Sequence, residues 1–460
     1  TCDSHLRSVT GVDALADYSD IAGQEVARFM VTDGEITTDV LNEAQLRRWV
    51  DGHEPESDAA RGRELRSPQA DLILDGTINA PKSFSVAALI NDDLAVEFEA
   101  LQDRLRDRIM VTWQRELNAR RGAGGKIREA LSRVEVVELQ HRRSRALDPH
   151  IHRHLWLNVN VLGWDGRWSN IDSRVAMKLH TVVNAEGELA ARTDPAWVAA
   201  LARNGFTIGD DGEIAELACA VRPLSRRSNQ IEANRARLIA QWQEDHSGQH
   251  PDRDVLTHID RQAWALQRPN KPGTLDEGEW QALVRGELEA IDPSLLCARG
   301  AVVPRSQSVD SLDRDLLAAM AIVDADHRSA ACGGRFSMFD VRAGAMRAIA
   351  ASGVTADRAE LDEPIRDVVD RALAFTVDLL EGEGSRPDHI KGFMAADTAK
   401  LKAELAVRFD ALTIAGAPAS EEAIALAAAV LPEGIAMDTA QRDAAAAIAG
   451  TDRLVSVTGP

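Results

Sequence analysis

Four of the twelve histidines in this 460-residue chain fall within fourteen positions: His141, His150, His152 and His154. Neutral imidazole is a common nitrogen ligand for a divalent metal. His152 and His154 stand at i and i+2, so on a strand they point the same way, near enough to share one ion. A third imidazole from a neighbouring strand, His141, would complete a facial set and leave coordination positions open for substrate oxygen. Three protein ligands with open positions are the pattern of a catalytic site, whereas a closed set of four is structural. Isolated histidines are usually surface or hydrogen-bonded core residues, but this clustering on one parity favours a metal. Imidazole ligands with an oxygen-rich substrate fit Mg2+ or Mn2+ first, and Zn2+ as well.

The elements that must position these rings are partly legible. Within His152–Leu162 the residues Leu155, Leu157, Val159 and Val161 share one parity, and His152, His154, Trp156, Asn158 and Asn160 share the other. That is a strand with one face in a core and one face presenting imidazoles and amides. The β-branched run Val134–Gln140 supplies a neighbouring strand, and Asp165-Gly166 a hairpin turn before Arg167–Ile171. Asp71–Asn79 reads as a strand, and Pro81 stands where a helix begins. Phe84–Glu116 is helical, interrupted near Asn91-Asp92-Asp93 and ended by Gly122–Gly125. Upstream, Thr38–Gly52 reads as a polar helix followed by a loop at Glu54–Ser57. Beyond about residue 195 the chain is mainly helical: Pro195–Asn204, Ser225–His246, Glu277–Ile291, and an Ala- and Asp-rich region from Ser308.

Length predicts two or three domains. No apolar run is long enough to span a membrane, so no membrane insertion is expected. Thr1-Cys2-Asp3-Ser4-His5 has no leader character, and Cys2, Cys219, Cys297 and Cys332 are scattered, which predicts reduced thiols in a cytoplasmic protein. The net charge of -20 opposes a nucleic-acid partner, since phosphate contacts need Lys and Arg. Yet Leu101–His180 carries 16 Lys+Arg against 9 Asp+Glu, a local +7 that leaves -27 elsewhere. A basic island fits a confined DNA site, and a solvated helix face bearing Arg104, Arg106, Arg108, Arg115, Arg120 and Arg121 fits it equally. The final Leu454-Val455-Ser456-Val457-Thr458-Gly459-Pro460 begins like a phosphate-binding loop but lacks the glycine-lysine-serine/threonine part, so no nucleotide site is expected there.

His141, a basic stretch, and then Asp148-Pro149-His150-Ile151-His152-Arg153-His154 resemble the histidine motif of the TrwC-type conjugative relaxases of the MobF class. A second match, Asp75-Gly76-Thr77-Ile78-Asn79-Ala80-Pro81-Lys82-Ser83, is similar to that family's strand followed by Ser-Ala-Pro-Lys-Ser. Weaker similarity runs through Leu224-Ser225-Arg226-Arg227-Ser228, and Gln441–Pro460 looks like the start of the family's helicase domain. The resemblance covers about residues 10–270 well and the rest loosely.

The resemblance implies an α+β, palm-like HUH nicking domain with a central antiparallel sheet over residues 1–270. A helical linker or accessory region would follow at 271–415, then the start of a helicase-like domain at 416–460 that stops before a complete phosphate-binding loop. It implies metal-dependent nicking of single-stranded or locally melted plasmid DNA at an origin of transfer, through a 5′-phosphotyrosine and a free 3′-OH, with relaxosome accessory and coupling proteins as partners. His141, His152 and His154 would hold the metal. Tyr18 is the one tyrosine in the chain and hence the implied nucleophile, though a lone tyrosine in a polar segment is also an ordinary half-buried ring. Asp75 matches the aspartate that accepts the tyrosine proton or orients a histidine; its alternative is a strand-end cap. Lys82 can meet a phosphate or stand exposed at a helix start. Arg142, Arg143, Arg145 and Arg153 flank the motif as candidate DNA-backbone contacts.

Two departures matter. Members with paired tyrosines have a second nucleophile, which this chain lacks. His150 replaces a usual glutamine and creates a His150-Ile151-His152 pair that could shift the metal set by two residues. Two other activities fit the same residues: a nickase that initiates rolling-circle replication, and a DNA-binding protein that grips an origin without cutting.

Overall fold

The computed structural model describes residues 7–10, 25–62, 70–269, 276–304, 306–382, 386–412, 416–432, 435–453 and 455. It divides into two compact units. The first comprises Thr1–Ala325, Ser337–Ala374 and Ser385–Lys391, and the second Asp326–Phe336, Phe375–Gly384 and Gly392–Pro460.

Strand β1 (Arg7–Thr10) is followed by the hairpin β2 (Val26–Thr32) and β3 (Glu35–Leu41), then helix α1 (Glu43–Val50). Asp33 and Gly34 both take positive φ, 53° and 81°, which is the requirement of a two-residue type I′ turn. Thr38–Leu41 therefore belongs to a strand and not to the predicted helix. The β-branched Ile36, Thr37, Thr38 and Val40 suit the pleat, and the helix begins only after Asn42 caps it by accepting from Gln45 N.

Next come β4 (Asp71–Asn79), α2 (Lys82–Ile90) and α3 (Asp92–Glu116). As the sequence predicts, α2 starts after Pro81, and Asn91 separates the helices, accepting from Leu94 N to begin α3. The helix stops at Glu116, short of the glycine cluster, because Asn118–Arg121 forms β5 against the long β6 (Ile127–Arg143). Gly122–Gly125 turns this ribbon and does not end a helix. The predicted strand His152–Leu162 is two strands, β7 (Pro149–Asn158) and β8 (Asn160–Gly163). Asn158 makes the break, accepting from Asn160 N through its side chain at 2.8 Å and donating to Trp49 O at 2.8 Å. After the Asp165-Gly166 turn, β9 (Trp168–Asn170) closes on β8.

The sheet runs β1-β4-β7-β6-β2-β3, with β5 and β8 also on β6, and every pairing is antiparallel. One face packs Val137, Leu139 and Trp156 against Leu46, Trp49 and Val50 of α1. The other lies under α3, where Gly76 matters: a Cβ there would sit 3.0 Å from the Trp113 indole. A side chain at that position would push α3 off the strand that carries Asp75.

The first unit continues through α4 (Ser173–Thr193), α5 (Pro195–Arg203), α6 (Ala218–Val221), α7 (Arg226–Asp245), α8 (Arg253–Ala265) and α9 (Glu277–Ile291). Then follow α10 (Arg314–Ser329), α11 (Met338–Ala351) and α12 (Asp362–Ala372). Phe84, Phe98, Ile151, Trp197 and Trp280 form one core between α2, α3, β7, α5 and α9. Arg347 on α11 meets Glu188 of α4, and Arg358 pairs with the buried Glu186 of α4. In the second unit a short hairpin, β10 (Thr376–Asp378) with β11 (Phe393–Ala395), precedes α13 (Ala396–Leu412). The hairpin was not legible in the sequence. Helices α14 (Glu421–Ala428) and α15 (Thr439–Ile448) follow, and Ala419 N, just before α14, donates to Ala446 O of α15 at 2.9 Å.

Candidate functional site

Register decides where the histidines go. On β6 and β7, His141 stands opposite His152, and Leu139 opposite His154. Partners that face each other across a ladder share a side of the sheet, as do residues two apart. The three imidazoles therefore meet on the α1 face, one step beyond the Trp156–Val137 pair. Their ring centroids form a nearly equilateral triangle with sides of 5.1, 5.1 and 5.2 Å. One nitrogen from each lies within 4.8 Å of the others, and among the described residues this is the one such cluster of histidine, cysteine and carboxylate groups.

The tautomers follow from the partners. His152 Nδ1 lies 2.7 Å from the His150 carbonyl, which can only accept, so Nδ1 carries the proton and Nε2 the lone pair. His154 Nδ1 lies 2.9 Å from Asp75 Oδ1. Asp75, on the adjacent β4, is buried and two residues along the strand from Thr77, the partner of His154. A carboxylate on the outer nitrogen of an imidazole fixes ring orientation and raises the basicity of the inner nitrogen. Burial, with help from neighbouring His150 and His154, holds His152 well below the usual histidine range. Burial, with Lys82 and the nearby imidazoles adding, pushes His150 down to about 3. Both rings are thus neutral at neutral pH. Imidazoles converging from adjacent strands, with His152 neutral and both His152 and His154 oriented by a partner on Nδ1, fit a divalent cation.

His150 stands apart from the triangle. Its ring stacks on His152 at 4.2 Å and 27°, and it is not part of the convergent set. Tyr18 lies outside the described residues.

The basic residues divide. Lys82 is largely enclosed and donates to Pro149 O at 2.5 Å. Burial lowers its pKa, against the opposing pull of Asp148 and Glu213. Arg142 meets Glu277 of α9 at 2.9 Å, and Arg143 reaches the same carboxylate at 3.7 Å while lying over the Trp280 ring. Arg145 is half-buried in the same loop, near enough to Arg227 to lower that guanidinium's pKa, behind the larger effect of burial. Arg153 takes the opposite parity from the histidines. It is buried on the α3 side and pairs with Glu99, Asp103 and Glu138. The expected DNA contact at Arg153 is corrected by this placement: its charge is neutralised within the core.

Three supports escaped the sequence reading. The ladder between β4 and β7 ends at the Asn79–His152 pair, so Ile151 needs side-chain partners for its backbone. Ser85 Oγ accepts from Ile151 N at 2.9 Å, and Gln102 Nε2 donates to Ile151 O at 3.4 Å. Glu213 caps the first turn of α2, accepting from Ser83 N at 2.8 Å and Ser83 Oγ at 2.6 Å. Asp148, just before β7, accepts from Arg226 Nε at 2.8 Å and Arg227 N at 3.1 Å, which gives the Leu224–Ser228 match a structural purpose. The available signal for α2 was two serines, Ser83 and Ser85, inside an otherwise apolar helix.

Fold and site together describe an α+β protein whose antiparallel sheet displays a histidine cluster at one end. The family model described as TrwC relaxase matches residues 13–291, well over half of the chain. The chain belongs to the TrwC relaxase family. It is similar to solved structures of conjugative relaxase TrwC in complex with OriT DNA, one copper-bound and one metal-free. Each is 20% identical with a TM-score of 0.47, and the match covers 64% of this chain and 98% of that one. A third, TrwC complexed with a 27-mer DNA comprising the recognition hairpin and the cleavage site, is 18% identical with a TM-score of 0.46 over the same shares. No curated protein matches the chain. Among the described residues no helix is long and apolar enough to cross a membrane.

Proposed function

We propose that this chain is a conjugative relaxase that nicks one strand of plasmid DNA at an origin of transfer through a tyrosine nucleophile. The observation that carries the proposal is the convergence of His141, His152 and His154 beside Asp75 in a chain of the TrwC relaxase family. His141, His152 and His154 would hold a divalent cation, Mg2+ or Mn2+ foremost. Bound there, such an ion would supply Lewis-acid neutralisation of a non-bridging phosphate oxygen.

The chain's own residues do the rest. Asp75 keeps His154 in one tautomer and orientation. Tyr18 Oη attacks phosphorus, a Tyr18 O–P bond forms, and the P–O3′ bond breaks. The phenol proton is lost, and the departing 3′ oxygen gains one, leaving a 3′-OH. An unperturbed phenol has a pKa near 10, so deprotonation needs a nearby base or cation. Chain length permits the approach. Thr10 pairs with Asp71, about 14 Å along β4 from Asp75 at ~3.4 Å per residue. The eight residues from Thr10 to Tyr18 span up to about 28 Å.

The nicking domain is residues 1–270 in this reading, with helical residues 271–415 and a helicase-like start at 416–460. Lys82 and Arg145 steady the DNA backbone, and Arg142 and Arg143 would join them only by leaving Glu277. Single-stranded origin DNA, relaxosome accessory and coupling proteins, and a cytoplasmic site of action complete the proposal.

The test is covalent trapping on an oligonucleotide that carries the cognate origin and a cleavable scissile linkage. The full chain should form a phosphotyrosine adduct. Tyr18→Phe should abolish it with DNA affinity changed less than about threefold, and chelation by EDTA should stop it. An adduct that persists in Tyr18→Phe refutes the nucleophile. Cleavage undiminished in EDTA refutes the cation. An origin-bound chain that never forms an adduct is a grip without a blade.

A further inference from the structure

We infer that His150 is a positioning residue that locks the plane and tautomer of His152, and not a substitute ligand. The inference rests on the reading of His141, His152 and His154 as a cation site.

His150 controls His152 in two independent directions. Its carbonyl accepts from His152 Nδ1 at 2.7 Å, which fixes rotation within the ring plane and leaves Nε2 as the nitrogen with the lone pair. Its own ring lies against the face of His152, centroids 4.2 Å apart and planes 27° from parallel, which opposes tilting out of that plane. His154 has a carboxylate, Asp75, to orient it. For His152 the same task falls to the residue two positions earlier in its own strand.

That residue is anchored on both sides. The carbonyl before it, Pro149 O, accepts from Lys82 Nζ at 2.5 Å, and the amide after it, Ile151 N, donates to Ser85 Oγ at 2.9 Å. Helix α2 thus grips the strand immediately before and after His150, so the stack has a rigid base. Among the described residues the ring's one aromatic neighbour is His152, whereas His141, His152 and His154 each meet two members of the triangle. A ligand would have to leave the stack and swing towards the other two rings, which would strip His152 of its support.

The experiment compares the unaltered chain with His150→Ala and His150→Phe. One readout is Mn2+ affinity by calorimetry. The other is the tautomer of His152 in the ion-free chain, by two-bond nitrogen–proton NMR correlation. His150→Ala loses the stack and should weaken Mn2+ about tenfold, the low end of what removal of an outer support costs a metal site. A His152 ring free to tilt leaves the line of the retained His150 carbonyl, so His150→Ala should also give averaged nitrogen shifts for His152. His150→Phe keeps an aromatic face, and both variants keep the backbone carbonyl. It should bind Mn2+ within about threefold of the unaltered chain and keep the single Nδ1–H tautomer. If Phe proves as damaging as Ala, His150 acts through its nitrogens and the positioning role is refuted. If Ala changes neither readout, the stack does nothing and the inference falls. If Mn2+ does not bind the unaltered chain, the cation reading fails, and the ion-free tautomer alone decides the role of His150.

Discussion

His150 shows how a single side chain here is set by its surroundings. Its imidazole, pushed down to about 3 by burial and by Lys82, titrates near 6.5 in an unfolded chain. Between those two values the unfolded state holds a proton that the folded state does not, so acidification favours unfolding; above pH 6.5 the penalty vanishes. At pH 5 the difference of about 1.5 pH units corresponds to ~2 kcal/mol. The ion-free chain should therefore have a lower urea midpoint at pH 5 than at pH 7. His150→Phe, with nothing to titrate, should recover about 2 kcal/mol of that fall. Equal falls in the two proteins would show that His150 is not held neutral by the fold.

At the scale of elements, the feature that positions the histidines is the grip of α2 on the start of β7. Ser85 supplies an acceptor to Ile151 N where the β4 ladder has ended. Ser85→Ala leaves that buried amide unsatisfied, at a cost of ~1–3 kcal/mol. Amide exchange at Ile151 should accelerate while exchange in β2 keeps its order relative to global unfolding. Unchanged exchange at Ile151 would mean that the ladder does not depend on the serine. Sequence alone could not reveal this device, because it depends on register: Asn79 is the last partner of β7 only once the strands are paired. The strands themselves were legible. Alternation over His152–Leu162 separated the imidazole face from the apolar face, and that parity is what brings His141, His152 and His154 together. The same rule, applied to Arg153, would have placed it on the far side. Its positive charge suggested phosphate, whereas Glu99, Asp103 and Glu138 claim it. The β2–β3 hairpin was missed because Asp33-Gly34 is a turn signal whose flanking strand, Glu35–Leu41, is polar and mostly exposed.

For the whole molecule, the charge problem finds its answer in pairing. The 16 cations of Leu101–His180 look sufficient to hold a polyanion despite a net charge of -20. Among the described residues nine of them meet carboxylates of the chain itself: Arg104, Arg106, Arg108, Arg121, Arg128, Arg133, Arg142, Arg143 and Arg153. An arginine already neutralised by an aspartate releases no counterion when it approaches DNA unless that pair first breaks. For single strands the slope of log K against log salt is about -0.7 per phosphate neutralised. All sixteen would give about -11, and the seven not so paired about -5. Binding of an origin oligonucleotide, measured by fluorescence anisotropy between 50 and 300 mM salt, should therefore follow a slope of about -5 or shallower. A slope near -11 would mean that DNA pulls the internal ion pairs apart. The basic island would then be a DNA surface held closed by its own carboxylates, and not a scaffold with a few exposed cations.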